Sequence, residues 1–248
     1  MPVLRHLRAV WRLGRLLAHA LGGLWILRVR FGRMDAARQH QTVQRWAQQV
    51  LRIMGIGLVL HGRAHAGPVL LVANHISWLD ILVLHAAHYC RFVSKSEIRA
   101  WPLVGPLATA AGTLYIERAS ARDALRVVHH MAERLRAGDV LAVFPEGTTG
   151  DGVQVQPFHA NLLQAAIAAD APAQPVCLRF VDVHGQTSFA PCYVGDDSFL
   201  GSVWRTLCTD GVRAHVAFGA PALAAGRNRR AWAHDLRTQV QALAQRSA

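Results

Sequence analysis

Val72-Ala73-Asn74-His75-Ile76-Ser77-Trp78-Leu79-Asp80 is the stretch whose reading decides the fold. The apolar run Pro68 to Val72 before it reads as a buried strand, and Ile81 to Ala87 after it reads as the body of a helix. His75 therefore stands on a strand-to-helix turn. On a regular helix, at about 100° per residue, the spacing from His75 to Asp80 would point the two side chains apart. They meet only if His75 precedes the helix and folds back over its first turn. A carboxylate in that place fixes the imidazole tautomer and stabilises the protonated ring, as a general base requires when it takes a proton from a hydroxyl. The competing reading is structural: Ser77-x-x-Asp80 is a capping-box variant that starts a helix without any chemistry.

Working outward, the chain alternates strands and helices. Ile56 to Leu60, Pro68 to Val72, Phe92 to Ser94, Thr113 to Ile116, Val140 to Phe144, Val176 to Phe180 and Val212 to Phe218 read as strands. Helices are expected over Trp78 to His88, Trp101 to Ala111, Asn161 to Ala169 and Arg229 to Arg246, and from a Ser120-x-x-Asp123 cap to Arg136, stopped by Gly138. This pattern predicts an α/β fold with a mostly parallel central sheet flanked by helices.

The first 54 residues differ from the rest. Arg5, Arg8, Arg12, Arg15, Arg28, Arg30 and Arg33 precede the first acid, Asp35, and are interleaved with leucines and with Trp11 and Trp25. Arginine mixed with long aliphatics and tryptophan is the pattern of a helix lying in a membrane interface. The uncharged run Leu16 to Leu27 falls short of the roughly 20 residues that a spanning helix needs. A second amphipathic helix, residues 36–54, turns Val43, Trp46, Val50, Leu51 and Met54 to one side. The two read as a membrane-interfacial helical hairpin, so the expected division is 1–54 for membrane association and 55–248 for an α/β domain. Alternatively, the second stripe packs on the domain core.

The chain carries 27 Lys+Arg against 15 Asp+Glu, a formal charge of +12, and 52% of its residues are hydrophobic. Such a surface seeks phosphate. No zinc-finger spacing or RNA-binding aromatic motif appears, so no nucleic acid is expected as a partner. Cys90, Cys177, Cys192 and Cys208 form no C-x-x-C pair, the histidines form no H-E-x-x-H set, and no metal site is expected.

Two further turns carry polar residues at strand ends, where ligands gather in α/β sheets. In Gly112-Thr113-Leu114-Tyr115-Ile116-Glu117-Arg118, Arg118 emerges just past a strand and could clamp a phosphate. Its alternative is a strand-end arginine paired with Glu117 or Asp123. Phe144-Pro145-Glu146-Gly147-Thr148-Thr149-Gly150-Asp151-Gly152 is a glycine-rich turn after the most apolar strand; its glycines and two hydroxyls suit an anion, although a plain turn would also fit. Lys95, in Ser94-Lys95-Ser96-Glu97, is the only lysine in the chain, in a sequence otherwise committed to arginine.

N-H-x4-D, G-x-x-Y-I-x-R and F-P-E-G-T, in this order and at this separation, resemble the glycerolipid acyltransferase family that includes 1-acylglycerol-3-phosphate acyltransferases. The resemblance covers roughly Gly55 to Phe218. It implies an acyl-thioester co-substrate, acyl-CoA or acyl-carrier protein, and no bound cofactor. The implied acceptor is a lysolipid, first 1-acyl-sn-glycerol-3-phosphate and alternatively lyso-ornithine lipid, and the implied place is the cytoplasmic face of the inner membrane. Carried over, His75 is the base and Asp80 its orienting partner. Asn74, Lys95, Gly112, Arg118, Glu146, Gly147 and Thr148 are expected to bind substrate. The family often continues F-P-E-G-T with Arg-Ser, but here Thr149 and Gly150 follow. It also often places a basic residue after the Phe of the next turn, where His159 follows Phe158. The alternative of a different class is a non-catalytic basic protein of the membrane surface.

Overall fold

The computed structural model describes residues 2–116 and 121–246. Its centre is β2 (Val69–Ala73), in which all five residues are buried, as expected of an interior strand of a parallel sheet covered on both faces. Seven strands form one sheet: β1 (Gly57–His61), β2, β3 (Arg91–Lys95), β4 (Leu114–Ile116), β5 (Val140–Val143), β6 (Ala173–Val181) and β7 (Arg213–Phe218). The spatial order is β1-β7-β6-β2-β5-β3-β4. Every neighbouring pair is parallel except β6 and β7.

Side chains alternate across a strand, and β2 separates two cores. Val69, Leu71 and Ala73 face a cluster built with α1 (Pro2–Val29), α2 (Ala36–Met54), α3 (Leu79–Ala87) and α7 (Phe199–Cys208). Leu70 and Val72 face the other way, toward α5 (Ala121–Arg136), α6 (Leu163–Ala169) and α8 (Arg229–Arg246). A short helix, α4 (Val104–Ala110), lies against α1. It starts later than the sequence suggests, because Trp101 before Pro102 takes an extended backbone. A 3-10 turn, Ser96–Ala100, precedes it.

Both N-terminal helices join the core of the α/β fold. Val50, Leu51 and Met54 of α2 are buried in the cluster that holds Leu71 and Leu79, so the stripe on this helix is a packing face. Asp35 caps α2 by accepting from the Arg38 N–H at 2.8 Å, and Gly55 ends it with φ +76°. Arg12 of α1, buried despite its charge, donates to the Leu207 and Thr209 carbonyls at 2.9 and 3.0 Å and pairs with Asp210 at 2.8 Å. It thereby caps the carboxyl end of α7. A Cβ on Gly55 would stand 2.1 Å from the Arg12 Nη2, so glycine is required there by space as well as by φ. The proposed cap at Ser120 lies outside the described residues.

Candidate active site

The carboxyl ends of β2 and β5 meet at the top of the sheet. As β2 ends, the Asn74 side chain replaces the strand ladder: its Oδ1 accepts the Leu178 N–H at 2.7 Å and its Nδ2 donates to the Leu178 carbonyl at 3.0 Å. Each buried backbone group left unpaired would cost about 1–3 kcal/mol, so the amide is committed to β6. Asn74, expected to bind substrate, here ties the end of β2 to β6. Freed from the ladder, the backbone turns and presents His75.

The five-residue spacing closes as the sequence requires. Asp80 sits in the first turn of α3 and is fully buried. Its Oδ2 accepts from His75 Nδ1 at 2.8 Å, from the Ile76 N–H at 2.6 Å and from the Ser77 N–H at 2.9 Å. The two readings of this carboxylate are therefore both realised: it orients the imidazole and it caps the helix. A carboxylate only accepts, so Nδ1 carries a hydrogen toward it, and in the neutral ring Nε2 then holds the lone pair. The ring lies parallel to Phe144, 4.0 Å between centroids and 9° between planes. About a fifth of the side chain is exposed, and no protein group bonds Nε2 among the described residues. The result is an imidazole held by a carboxylate on one side and an aromatic ring on the other, with Nε2 left free of protein partners among the described residues.

Glu146 supports this turn from β5. Its Oε1 accepts the His75 N–H at 2.7 Å and its Oε2 accepts the Gln156 N–H at 2.9 Å. Burial raises the carboxyl pKa, while these two N–H donors pull the other way. Glu146, expected to bind substrate, thus braces the His75 turn through one N–H on each carboxylate oxygen. The Gly150 N–H donates to the His75 carbonyl at 2.8 Å, completing the bridge between loops. Gly147 adopts φ +73°, and a Cβ there would meet the His159 ring at 3.2 Å. Thr148 beside it is exposed. Thr149, half-buried, donates its hydroxyl to the Tyr193 carbonyl and so ties the glycine-rich loop to the segment before α7.

Gly112 is elsewhere. It precedes β4, with φ +80°, and a Cβ would stand 2.0 Å from Nη1 of Arg91, the residue that opens β3. Arg91 pairs with Asp139, which precedes β5, at 2.8 Å. These parallel strands all begin at that end, so Gly112, expected to bind substrate, lies at the opposite end of the sheet from His75. Its glycine serves the packing of Arg91. Lys95 is exposed at the carboxyl end of β3, the His75 end, two strands from β2. Arg118 lies outside the described residues.

Two contributors escaped the sequence reading. Phe144 is the platform for His75 and itself stacks on Phe92, 5.7 Å away; its place in Phe144-Pro145-Glu146 was the available signal. The segment 189–193 supplies carbonyls to Ser77 and Thr149 through Pro191 and Tyr193, and nothing in its composition announces this. No three His, Cys, Asp or Glu side chains gather as a metal site among the described residues.

The sequence profile of the acyltransferase family matches residues 58–179. A lyso-ornithine lipid O-acyltransferase of Pseudomonas aeruginosa is 35% identical over 95% of this chain and 93% of its own length. The chain belongs to the acyltransferase family. A 1-acyl-sn-glycerol-3-phosphate acyltransferase of Neisseria meningitidis serogroup B is also 35% identical to this acyltransferase, over 73% of this chain and 71% of its own. The crystal structure of the 1-acyl-sn-glycerophosphate acyltransferase of Thermotoga maritima superposes with a TM-score of 0.68 at 17% identity, covering 95% of this chain and 97% of that one, and so shares the fold.

Replacing the two central residues separates their roles. His75→Ala is expected to lower turnover about 10²–10⁴-fold while the protein stays folded, with a smaller loss of stability than Asp80→Ala, since Asp80 keeps its two N–H donors. Asp80→Ala should lose activity as severely and also stability, by about 2–4 kcal/mol, because two buried N–H groups are left unpaired. Turnover and denaturant unfolding on the same samples check this; an Asp80→Ala protein as stable as the parent would contradict the assigned geometry.

Proposed function

We propose that the protein transfers a fatty acyl group from an acyl thioester to the free hydroxyl of a lysolipid at a membrane surface. The carrying observation is the His75–Asp80 pair at the carboxyl edge of the sheet with Nε2 unbonded. Nε2 takes the hydroxyl proton as the oxygen attacks the thioester carbonyl. The tetrahedral intermediate then collapses, the carbon–sulfur bond breaks, and the imidazolium returns its proton to the departing thiolate. Asp80 stabilises the imidazolium between the two transfers. The N–H groups of His75, Ile76 and Ser77 are already engaged inside the turn. Stabilisation of the oxyanion therefore falls to groups outside it.

For the acceptor, lyso-ornithine lipid is the reading best supported. The Pseudomonas aeruginosa relative that acts on it aligns over nearly the whole chain. Thr149 stands where many family members have arginine, and its hydroxyl is bound to Tyr193, so that place offers no cation to a phosphomonoester. The Neisseria meningitidis relative favours 1-acyl-sn-glycerol-3-phosphate as the second reading. Thiol release by purified protein, measured with both acceptors and with both acyl-CoA and acyl-carrier protein, tests the assignment. The expected result is a higher kcat/KM for lyso-ornithine lipid, further depressed by Thr149→Arg, which would set like charge against the acceptor's amine. A preference for the phosphomonoester overturns the acceptor, and no release with any pair overturns acyl transfer itself.

The lipid side of the molecule is the α1 face. Leu4, Leu7, Trp11, Leu21 and Trp25 are exposed along it, while its other side packs on α7, α2 and α4. No helix among the described residues is long and apolar enough to cross a membrane. We place α1 in the plane of the interface, with Arg15 over the Trp11 ring at 4.5 Å. The ring contacts of Phe199 with Trp78 and Trp101, at 5.5 and 5.6 Å, link the His75 turn to α7 and hence to this face. Leu7→Ser/Trp11→Ser/Trp25→Ser should release the protein from anionic vesicles in sedimentation, and salt should weaken but not abolish parental binding. Unchanged sedimentation of the triple variant would move the contact elsewhere.

A further inference from the structure

The loop that holds Glu146 runs on into a hollow on the opposite flank of the sheet. A cavity of about 330 Å³ lies between residues 157–161 and the first turns of α8. That volume is at the lower end of small-molecule sites, roughly 300–1,000 Å³. Its charged lining has one sign: Arg229, Arg230 and Arg237, with the imidazoles of His159 and His234, and no acid. Arg237 is engaged, since its Nη2 donates to the Val155 carbonyl at 2.8 Å and its Nε to the Gln156 carbonyl at 3.1 Å. Arg229 and Arg230 are not. Both are exposed, and neither guanidinium has an ion pair or hydrogen bond among the described residues. The single carboxylate of α8, Asp235, is paired with Arg227 at 2.9 Å.

The hollow is tied to the catalytic turn. The Gln156 N–H bonds Glu146, whose other oxygen bonds the His75 N–H, and Pro157 at the rim is the next residue. His159 packs against Gly147. The position after Phe158, where the family often has a basic residue, here holds a histidine, and α8 brings arginines to the same place. The cavity belongs to the α5, α6 and α8 side, whereas α1 lies on the other face of the sheet. A lipid acceptor and a water-soluble donor would reach the His75 edge from opposite faces.

We infer that this cavity binds the phosphorylated nucleotide end, the 3′-phospho-ADP, of a coenzyme A thioester. The inference rests on the acyl-transfer reading and names the donor that it leaves open. Two unpaired guanidinium groups in a concave site of this volume suit a compact polyphosphate, which accepts charge-assisted bonds from both. A carrier protein would instead require a broad basic surface.

The test uses the full chain carrying Arg229→Gln and Arg230→Gln, with adenosine 3′,5′-bisphosphate as the calorimetric probe. Parental protein should bind the probe in a salt-sensitive manner, and the double variant should bind about tenfold more weakly or less well still. Its KM for acyl-CoA should rise by a similar factor with kcat retained, while S-acyl pantetheine, which lacks the phosphates, should be used equally by both proteins. A matching melting temperature establishes that the variant is folded. Equal affinity of both proteins for the bisphosphate overturns the inference, as does a defect confined to acyl-carrier protein, which would make the patch a protein-docking surface. Bisphosphate binding that depends on the two arginines, with no turnover of any thioester, would support the nucleotide site and overturn acyl transfer instead.

Discussion

A single carboxylate oxygen, Oδ2 of Asp80, accepts three hydrogen bonds, and the geometry of the active edge follows from that convergence. A buried anion is tolerated only when it is well bonded. Here the donors are two N–H groups of the turn, with the imidazole as the third, and the positive end of α3 adds to them. The other oxygen, Oδ1, is buried without a partner, a cost that the bonds to Oδ2 must offset. Satisfying the anion forces the chain between Ala73 and Leu79 to curl around it, and the same curl brings His75 back over the helix. Catalytic placement and helix initiation are thus one constraint, which explains why one sequence pattern supported both readings.

The remainder of the fold keeps that turn from relaxing. Asn74 fastens it to β6 and Glu146 fastens it to β5, while Phe144 supports the ring from below. The chain treats a histidine on α3 differently: His85 is buried among Tyr89 and Phe92, and burial drives its pKa down to about 4, so it remains neutral and structural. Residue type alone does not distinguish the two rings. Their neighbours do, because only His75 has a carboxylate.

Much of the fold was legible because its signals are local. The buried run of β2 and the glycine stop at Gly138, just past the end of α5, each act within a few residues. Helix α7 was missed although Phe199, Val203 and Leu207 recur at helical spacing; its most buried positions include the polar Ser202 and Thr206, which face the Cys192 and Ala190 carbonyls. In the site, His75 and Asp80 were legible because the pair is complete within six residues. The roles of Asn74 and Glu146 were not, since their partners are backbone groups 104 and 71 positions away that only the folded sheet supplies.

The central claim is that Asp80 holds the His75 imidazole as the Nδ1–H tautomer, leaving Nε2 to take the acceptor's proton. Nitrogen-15 chemical shifts of the histidine rings, assigned by comparison with His75→Ala, measure that tautomer directly. The account predicts that in the neutral ring Nδ1 of His75 carries the proton and is slow to exchange, and that Nε2 has the shift of an unprotonated ring nitrogen. Protonation at Nε2 with a bare Nδ1 would contradict it.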